Sequence, residues 1–324
     1  MSRLLAQLDA IEDGTGNGVL ELPDQQRLEV TNLKKPFWPA LALTKGDLFR
    51  HYVRVAPYLL PVLADRPLVM KRYPNGVSGQ PFYQHRAPGS VPRGVRVDEV
   101  SSETESRPHV VGGNLLTLLY TAQLASISQD PWFSRVGSED AVDHVAIDLD
   151  PPEGLPFARV LDVARWIRDE LGALRATAFP KTSGSRGLHI YVPMAPDTPY
   201  GAGLVFSQIV ATRVANSHSK EATVERSIAA RGRRIYVDYL QNIRGKTLAC
   251  AYSARANAFA GVSTPLTWDE VEGDVSPQDF TVPTFAARLA EVGDLWAGLH
   301  KAKGADLAAT ARQEGGRQRK AKGG

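Results

Sequence analysis

Residues 143–151 read Asp-His-Val-Ala-Ile-Asp-Leu-Asp-Pro, and no other stretch narrows the possible folds of this chain so much. In an extended strand successive side chains point to opposite faces. Val145, Ile147 and Leu149 therefore share one face, which asks to be buried, while Asp148 and Asp150 share the other. Strand rise separates the two carboxylates by roughly 6–7 Å. Converging side chains can shorten that to the span of two divalent ions about 3.5–4 Å apart. Like charges so close are costly without a cation to neutralise them, and oxygen donors suit magnesium or manganese.

A second run, Arg234-Ile235-Tyr236-Val237-Asp238-Tyr239-Leu240, turns Asp238 away from Ile235, Val237 and Tyr239 in the same fashion. It can complete a three-carboxylate site. The competing reading makes Asp150 a cap for the next helix and Asp238 a surface residue. Two acids at strand spacing, matched by a third on another apolar strand, favour the metal site.

The segment Lys181-Thr182-Ser183-Gly184-Ser185-Arg186-Gly187-Leu188-His189 joins two predicted strands. Its small residues, backbone N–H groups, hydroxyls and cation are the parts of a phosphate cradle, and equally of an ordinary turn. Alternation turns His189 away from Leu188, Ile190 and Val192, towards the acids' side. Gly245-Lys246-Thr247 imitates the end of a nucleotide-binding P-loop, but Leu240 stands where that motif needs glycine. Lys246, with Arg244 and Arg255 nearby, remains: each is either an isolated cation suited to a triphosphate or a solvated surface charge.

Around these motifs the pattern alternates. Thr44 is a predicted N-cap for a helix carrying Leu48, Tyr52, Val55 and Leu59 at helical spacing. Pro, Gly, Arg and Ser between 84 and 107 predict loops bearing Arg86, Arg93 and Arg96. Beyond a helix near 114–126, strands at 143–150, 176–181, 188–193 and 234–240 interleave with helices near 156–171 and 203–217. That order predicts a mixed α/β or α+β domain over 31–300, preceded by an accessory arm (1–30) and followed by a basic, disordered tail (301–324). A hydrophobic fraction of 43% permits a proper core, and the net charge of +3 tolerates a polyanionic partner without requiring one. Cys250 is the single cysteine, which excludes an internal disulfide and a paired-cysteine zinc site. With no apolar leader and no run of about 20 apolar residues, a cytoplasmic protein without membrane contact is expected.

Together, the paired aspartates, the Ser-Gly-Ser-Arg-Gly-Leu-His loop and Tyr236-Val237-Asp238-Tyr239-Leu240-Gln241-Asn242 resemble the polymerase domain of bacterial ligase D, in the archaeo-eukaryotic primase superfamily. The resemblance runs from about Thr31 to Thr267. It implies an α+β primase-polymerase core with mixed or antiparallel sheets flanked by helices, adding NTPs or dNTPs at DNA ends in non-homologous end joining. It also implies two Mn2+ or Mg2+ ions held by Asp148, Asp150 and Asp238. Lys71, Ser183, Arg186, His189, Lys246 and Arg255 match positions that contact the nucleotide. Lys35 and Lys45 match lysines that grip a 5′-phosphate, and Phe82 and Tyr83 match aromatics that stack on bases. Core packing is the competing reading for one of that aromatic pair.

One departure is visible. Many family members carry a histidine just before a Pro-Trp pair ahead of the acid strand, and here Ser128-Gln129-Asp130-Pro131-Trp132 puts Gln129 near that position. No ligase lysine motif or histidine-rich nuclease segment is seen, so Ku and a separate DNA ligase are the expected partners. Two other functions use the same residues: a metal-dependent nuclease directing the acids at water, and a non-catalytic bridge between DNA ends.

Overall fold

The computed structural model describes residues 1–101 and 105–312. The strand Ala141–Asp150 lies at the centre of a five-stranded sheet. Leu188–Pro199 and then Phe179–Thr182 lie on one side of it, Ile235–Asp238 and then Ala222–Thr223 on the other. All neighbours are antiparallel except the last pair, which is parallel, so the sheet is mixed and the fold α+β. Val145, Ile147 and Leu149 are fully buried, as alternation requires, and Ala146 and His144 on the other face are buried too.

The helices Phe157–Ala173 and Tyr200–Ser217 pack on this sheet. The first buries Val160, Val163, Ala164, Ile167 and Leu171, the spacing of an amphipathic helix with one apolar stripe. It runs through Gly172 to Ala173, slightly beyond its predicted end. Its N-cap is Pro156, so Asp150 does not cap it.

Thr44 does cap the helix Lys45–Leu63. Its hydroxyl accepts from the Asp47 backbone N–H, and Asp47 accepts from the Thr44 N–H, a reciprocal capping box. The Thr44 hydroxyl also donates to Glu12 at 2.7 Å, and Arg50 bridges Glu12 and Asp47. The first thirty residues thus lie against this helix, with Leu4, Leu8, Leu20, Leu28 and Val30 in the same core as the sheet.

A smaller three-stranded sheet has Leu68–Arg72 in the middle, flanked by Phe82–Gln84 and Asp130–Pro131. Its register sets Lys71 opposite Tyr83 and Val69 opposite Asp130.

At the C-terminus the structure differs from the expected disordered tail. Within 301–312, Ala305 bridges to Met194 and donates to the Pro193 carbonyl at 2.9 Å, and Thr310 is buried. Composition alone misses this because Trp296 and Leu299, anchored in the core just upstream, hold the following residues against the sheet. The remaining residues assigned to the tail, 313–324, lie outside the described residues. Among the described residues no helix is long and apolar enough to cross a membrane.

Candidate active site

Sheet register assembles the acids. Asp148 pairs directly with Asp238 on the neighbouring strand, and Asp150 lies two residues along the same face. Each of the three offers a carboxylate oxygen, and these oxygens all lie within 4.8 Å of one another. Asp148 and Asp238 are buried, whereas Asp150 stands at the exposed rim. Burial and the charge on Asp238 push the Asp148 carboxyl up to about 7. Desolvation in the cleft, then the charges on Asp148 and Asp238, lift Asp150 likewise to about 7. Three crowded carboxylates, with Asp148 and Asp150 raised in this way, form an all-oxygen set that a divalent cation fits, because its charge removes the repulsion.

Local hydrogen bonds hold these acids in place. Asp238 accepts from the Tyr236 hydroxyl at 3.2 Å, the Leu240 N–H at 2.7 Å and the Gln241 amide at 2.8 Å. Where the short strand Ile235–Asp238 ends, the Asn242 side chain continues its hydrogen bonding. Its oxygen accepts from the Ala146 N–H at 2.8 Å, and its amide donates to the Ala146 carbonyl at 2.7 Å. The motif Tyr-Val-Asp-Tyr-Leu-Gln-Asn is thus an acid together with its own supports.

On the other flank, Asp148 pairs with His189, whose Nε2 lies 3.2 Å from Asp148 Oδ1. Burial and the nearby cations Lys181 and Arg255 hold the His189 imidazole well below its usual range. Behind His189 sits Lys181, with no solvent exposure. The turn preceding His189 is drawn tight against the acid strand. A side chain at Gly187 would begin 2.2 Å from the Leu149 carbonyl oxygen, and Gly184 has φ +70, a conformation only glycine adopts freely.

Of the two readings of this turn, the ordinary turn accounts for three of its backbone N–H groups. The N–H groups of Ser185 and Gly187 donate to the Ser183 hydroxyl, and that of Gly184 to the Thr182 hydroxyl. Serine and threonine satisfy their own turn here, as they often do. Two side-chain cations stand beside the turn: Arg186 is exposed at the cleft, and Arg255 donates to the Ser183 carbonyl at 2.6 Å.

Asp148, Asp150, Ser183, Arg186, His189 and Arg255 line one cavity of about 280 Å³, and Lys71, Tyr83, Ser128 and Asp130 line it too. Phe82 and Tyr83 are both exposed, at 45% and 62%, so neither is a core residue. The strand Phe82–Gln84 is too short and too peripheral to bury either ring. Tyr83 faces the Lys71 ammonium at 5.3 Å, while Phe82 faces the Arg72 guanidinium at 5.2 Å. Gln129 is buried away from the cavity, its side chain bonded to Thr121. The residue before Pro131 that does reach the cavity is Asp130, which accepts from the Ser128 hydroxyl at 2.6 Å. Lys246 is exposed and outside the cavity wall, which takes Thr247, Leu248 and Ala249 instead.

Lys35 and Lys45 meet in a second cavity of about 160 Å³, joined by Arg72, Thr31, Asn32 and Gln123. Lys45 is buried, and its ammonium donates to the Thr31 and Gln123 carbonyls and the Gln123 side chain. Burial, then the charges of Lys35 and Arg72, lower it to about 8. Three cations converge here, with no carboxylate among the described lining residues, so the local field is positive. Arg72, Asp130 and Lys181 are the residues that reading along the chain missed. For Lys181 a signal existed: pairing of Thr182 with Leu188 across the turn sets it opposite His189.

Comparison with known proteins points to one family. A family model described as the LigD primase-polymerase domain matches residues 44–296. The bifunctional non-homologous end joining protein LigD of Bacillus subtilis is 32% identical over 84% of this chain and 44% of its own length. The multifunctional protein LigD of Pseudomonas aeruginosa is 29% identical over 80% of this chain and 31% of its own. The chain therefore spans less than half the length of these curated relatives. Among solved structures, the polymerase domain from Mycobacterium tuberculosis ligase D in complex with DNA superposes with a TM-score of 0.78. It is 30% identical, covering 85% of this chain and 98% of that one.

Proposed function

The chain belongs to the LigD primase-polymerase domain family, and on that basis we propose that it is a template-directed nucleotidyltransferase that fills gaps and extends DNA ends during non-homologous end joining. One observation carries the reading: Asp148 and Asp150 share a single cavity with Lys71, Arg186 and Arg255, so metal-ligating acids and triphosphate-binding cations face one space. A nuclease acting on water has less use for that cationic wall.

Asp148, Asp150 and Asp238 would hold two Mn2+ or Mg2+ ions. Bound ions of this kind supply Lewis-acid activation of a hydroxyl and neutralise charge on the reacting phosphate. The chain's own residues do the positioning. Tyr236, Leu240 and Gln241 keep the Asp238 carboxylate from rotating. Arg186, Arg255 and Lys71 bind the triphosphate as fixed positive partners, with Ser183 shaping the turn and His189 offering a ring nitrogen beside Asp148. Tyr83, and Phe82 beside it, present rings on which a base can stack irrespective of sequence. Lys35 and Lys45, with Arg72, take the 5′-phosphate of the downstream strand. Lys246 is given no contact. Ku holding the ends and a DNA ligase sealing the product are the proposed partners.

Primer extension on a gapped duplex bearing a 5′-phosphate tests this, with manganese and with ribo- or deoxyribonucleotides. Templated addition by the wild type, absent with Asp148→Ala, is the expected result. If both proteins bind the gap and neither adds a nucleotide, a non-catalytic end-binding role replaces this one.

A further inference from the structure

Between the strands Ala222–Thr223 and Ile235–Asp238 the chain makes an outward turn, residues 224–234, that reads Val-Glu-Arg-Ser-Ile-Ala-Ala-Arg-Gly-Arg-Arg. Four arginines stand against one carboxylate, and Glu225 is spent on the Ser227 N–H at 3.0 Å. Two of the arginines hold the turn together. Arg231 donates to the Glu225 and Arg226 carbonyls and covers the Tyr236 ring at 3.7 Å, and Arg234 donates to the Ala230 and Arg231 carbonyls. The turn is thus braced, and what it presents outward is fixed. Ile228, one helical turn before Arg231, is 82% exposed, more than any other large hydrophobic residue among those described. Arg226 is exposed too, and its guanidinium has no hydrogen-bond or ion-pair partner among the described residues.

Register gives the turn its place relative to the two cationic cavities. Lys71 and Arg72 are consecutive on one strand and point to opposite faces of the small sheet, Lys71 into the cavity of the acids and Arg72 into that of Lys35 and Lys45. The large sheet closes the first cavity with Asp148 and Asp150. Asp150 pairs with Tyr236, and the Tyr236 ring under Arg231 carries its hydroxyl to Asp238, so the turn stands one side chain away from the acids. Residues 224–234 line neither cavity. The order is therefore phosphate cavity, small sheet, nucleotide cavity, acids, turn. Along the template of a gapped duplex the order is 5′-phosphate, incoming nucleotide, primer 3′ end. The turn falls where the primer-side duplex must lie.

We infer that residues 224–234 are a seat for the duplex carrying the primer 3′ end, with Arg226 on a backbone phosphate and Ile228 against the sugar and base edges beside it. Nucleic acid alternates phosphates with apolar sugar and base surfaces, and proteins meet the first with arginine and the second with aliphatic or aromatic side chains. A lone exposed isoleucine is ordinary on a protein surface. One carried on a braced arginine turn beside the metal-ligating acids matches that ligand. Arg233 supplies a contrast within the same turn. It lines a cavity of about 220 Å³ with Leu155, Trp166, Lys220 and Ile235, on the helix side of the sheet and away from the acids, so it is no part of the seat.

The assignment rests on the nucleotidyltransferase reading, but its test is a binding measurement that needs no turnover. Fluorescence anisotropy of the full chain compares two probes: a primer–template duplex with a recessed 3′ end and no downstream strand, and a duplex end with a recessed 5′-phosphate and no primer. Arg226→Ala should weaken the first roughly tenfold and reduce its slope of log affinity against log salt by about one, leaving the second unchanged. Ile228→Ser should weaken the first without altering the slope, and Arg233→Ala should affect neither. All three side chains are exposed, and melting curves check that the variants fold. Hydroxyl-radical footprinting of the wild type adds a readout free of substitutions, with protection of the primer-side duplex next to its 3′ end expected. Unchanged primer–template affinity in both Arg226→Ala and Ile228→Ser overturns the inference, as does an unprotected primer side. An equal loss on both probes, or a loss as large with Arg233→Ala, also overturns it, because a basic surface of no particular geometry would give that. If the wild type shows these contacts and adds no nucleotide, the functional reading falls and the seat stands.

Discussion

Asp148 and Asp150 carry the sharpest consequences at the scale of single residues. Replacing either by alanine should reduce nucleotide addition on the order of a thousandfold, with gel-shift affinity for a 5′-phosphorylated end retained. Equal loss of both properties would contradict the separation of the two cavities. The raised carboxyl groups also predict a pH effect on stability. Carboxyls in the unfolded chain titrate near 3.8, those of folded Asp148 and Asp150 near 7. Between about pH 4 and 7 the unfolded chain releases protons that the folded, metal-free protein keeps, so folding stability falls through that window and levels off above it. Melting in a chelator should show this decline. Added Mn2+ should raise Tm more at pH 8 than at pH 5.5, because the cation relieves a repulsion that protonation has already removed at low pH. Asp148→Asn should melt higher than wild type in chelator at pH 8 and gain less from Mn2+.

Elements carry the next set of consequences. Asn242 stands in for a strand that stops short, and Asn242→Ala leaves the Ala146 N–H and carbonyl without their partner inside the core. Urea unfolding should register a loss of about 2 kcal/mol. Activity should fall as well, since Ala146 is two residues from Asp148. Thr44→Ala removes the capping box of the helix Lys45–Leu63 and should lower stability by about 1 kcal/mol. That cap was legible from Thr44-Lys45-Gly46-Asp47 because it is local chemistry. The support given by Asn242 was not, because its partner Ala146 is distant in the chain. The choice between the two readings of the Ser183 turn was not legible for a related reason: composition reveals the hydroxyls but not which N–H each one takes.

Across the molecule, the proposed function gives the two cationic cavities different anions, and their salt and pH responses should then differ. Lys35→Ala should weaken binding to a 5′-phosphorylated gap and reduce the slope of log affinity against log salt by about one. Affinity for the same gap without its phosphate should hardly change. Lys45, lowered to about 8, loses its charge as pH rises through that value. The preference for a 5′-phosphate, measured by fluorescence anisotropy, should therefore decline between pH 7 and 9, and a preference constant over that range would remove Lys45 from the phosphate site.

Sequence alone determined what alternation and local capping can determine. Asp148 and Asp150 had to share a face, Asp238 had to oppose Ile235 and Val237, and a helix had to begin after Thr44, because each follows from backbone geometry within a few residues. Tertiary structure decided what depends on pairing between distant segments. It set Asp238 and His189 on either side of Asp148, brought Arg72 to Lys35 and Lys45, turned Asp130 rather than Gln129 to the cavity, and buried Lys181 behind His189. Side-chain period says which way a residue points from its own strand. Only the register between strands, fixed by the burial of a whole sheet face, says what it meets there.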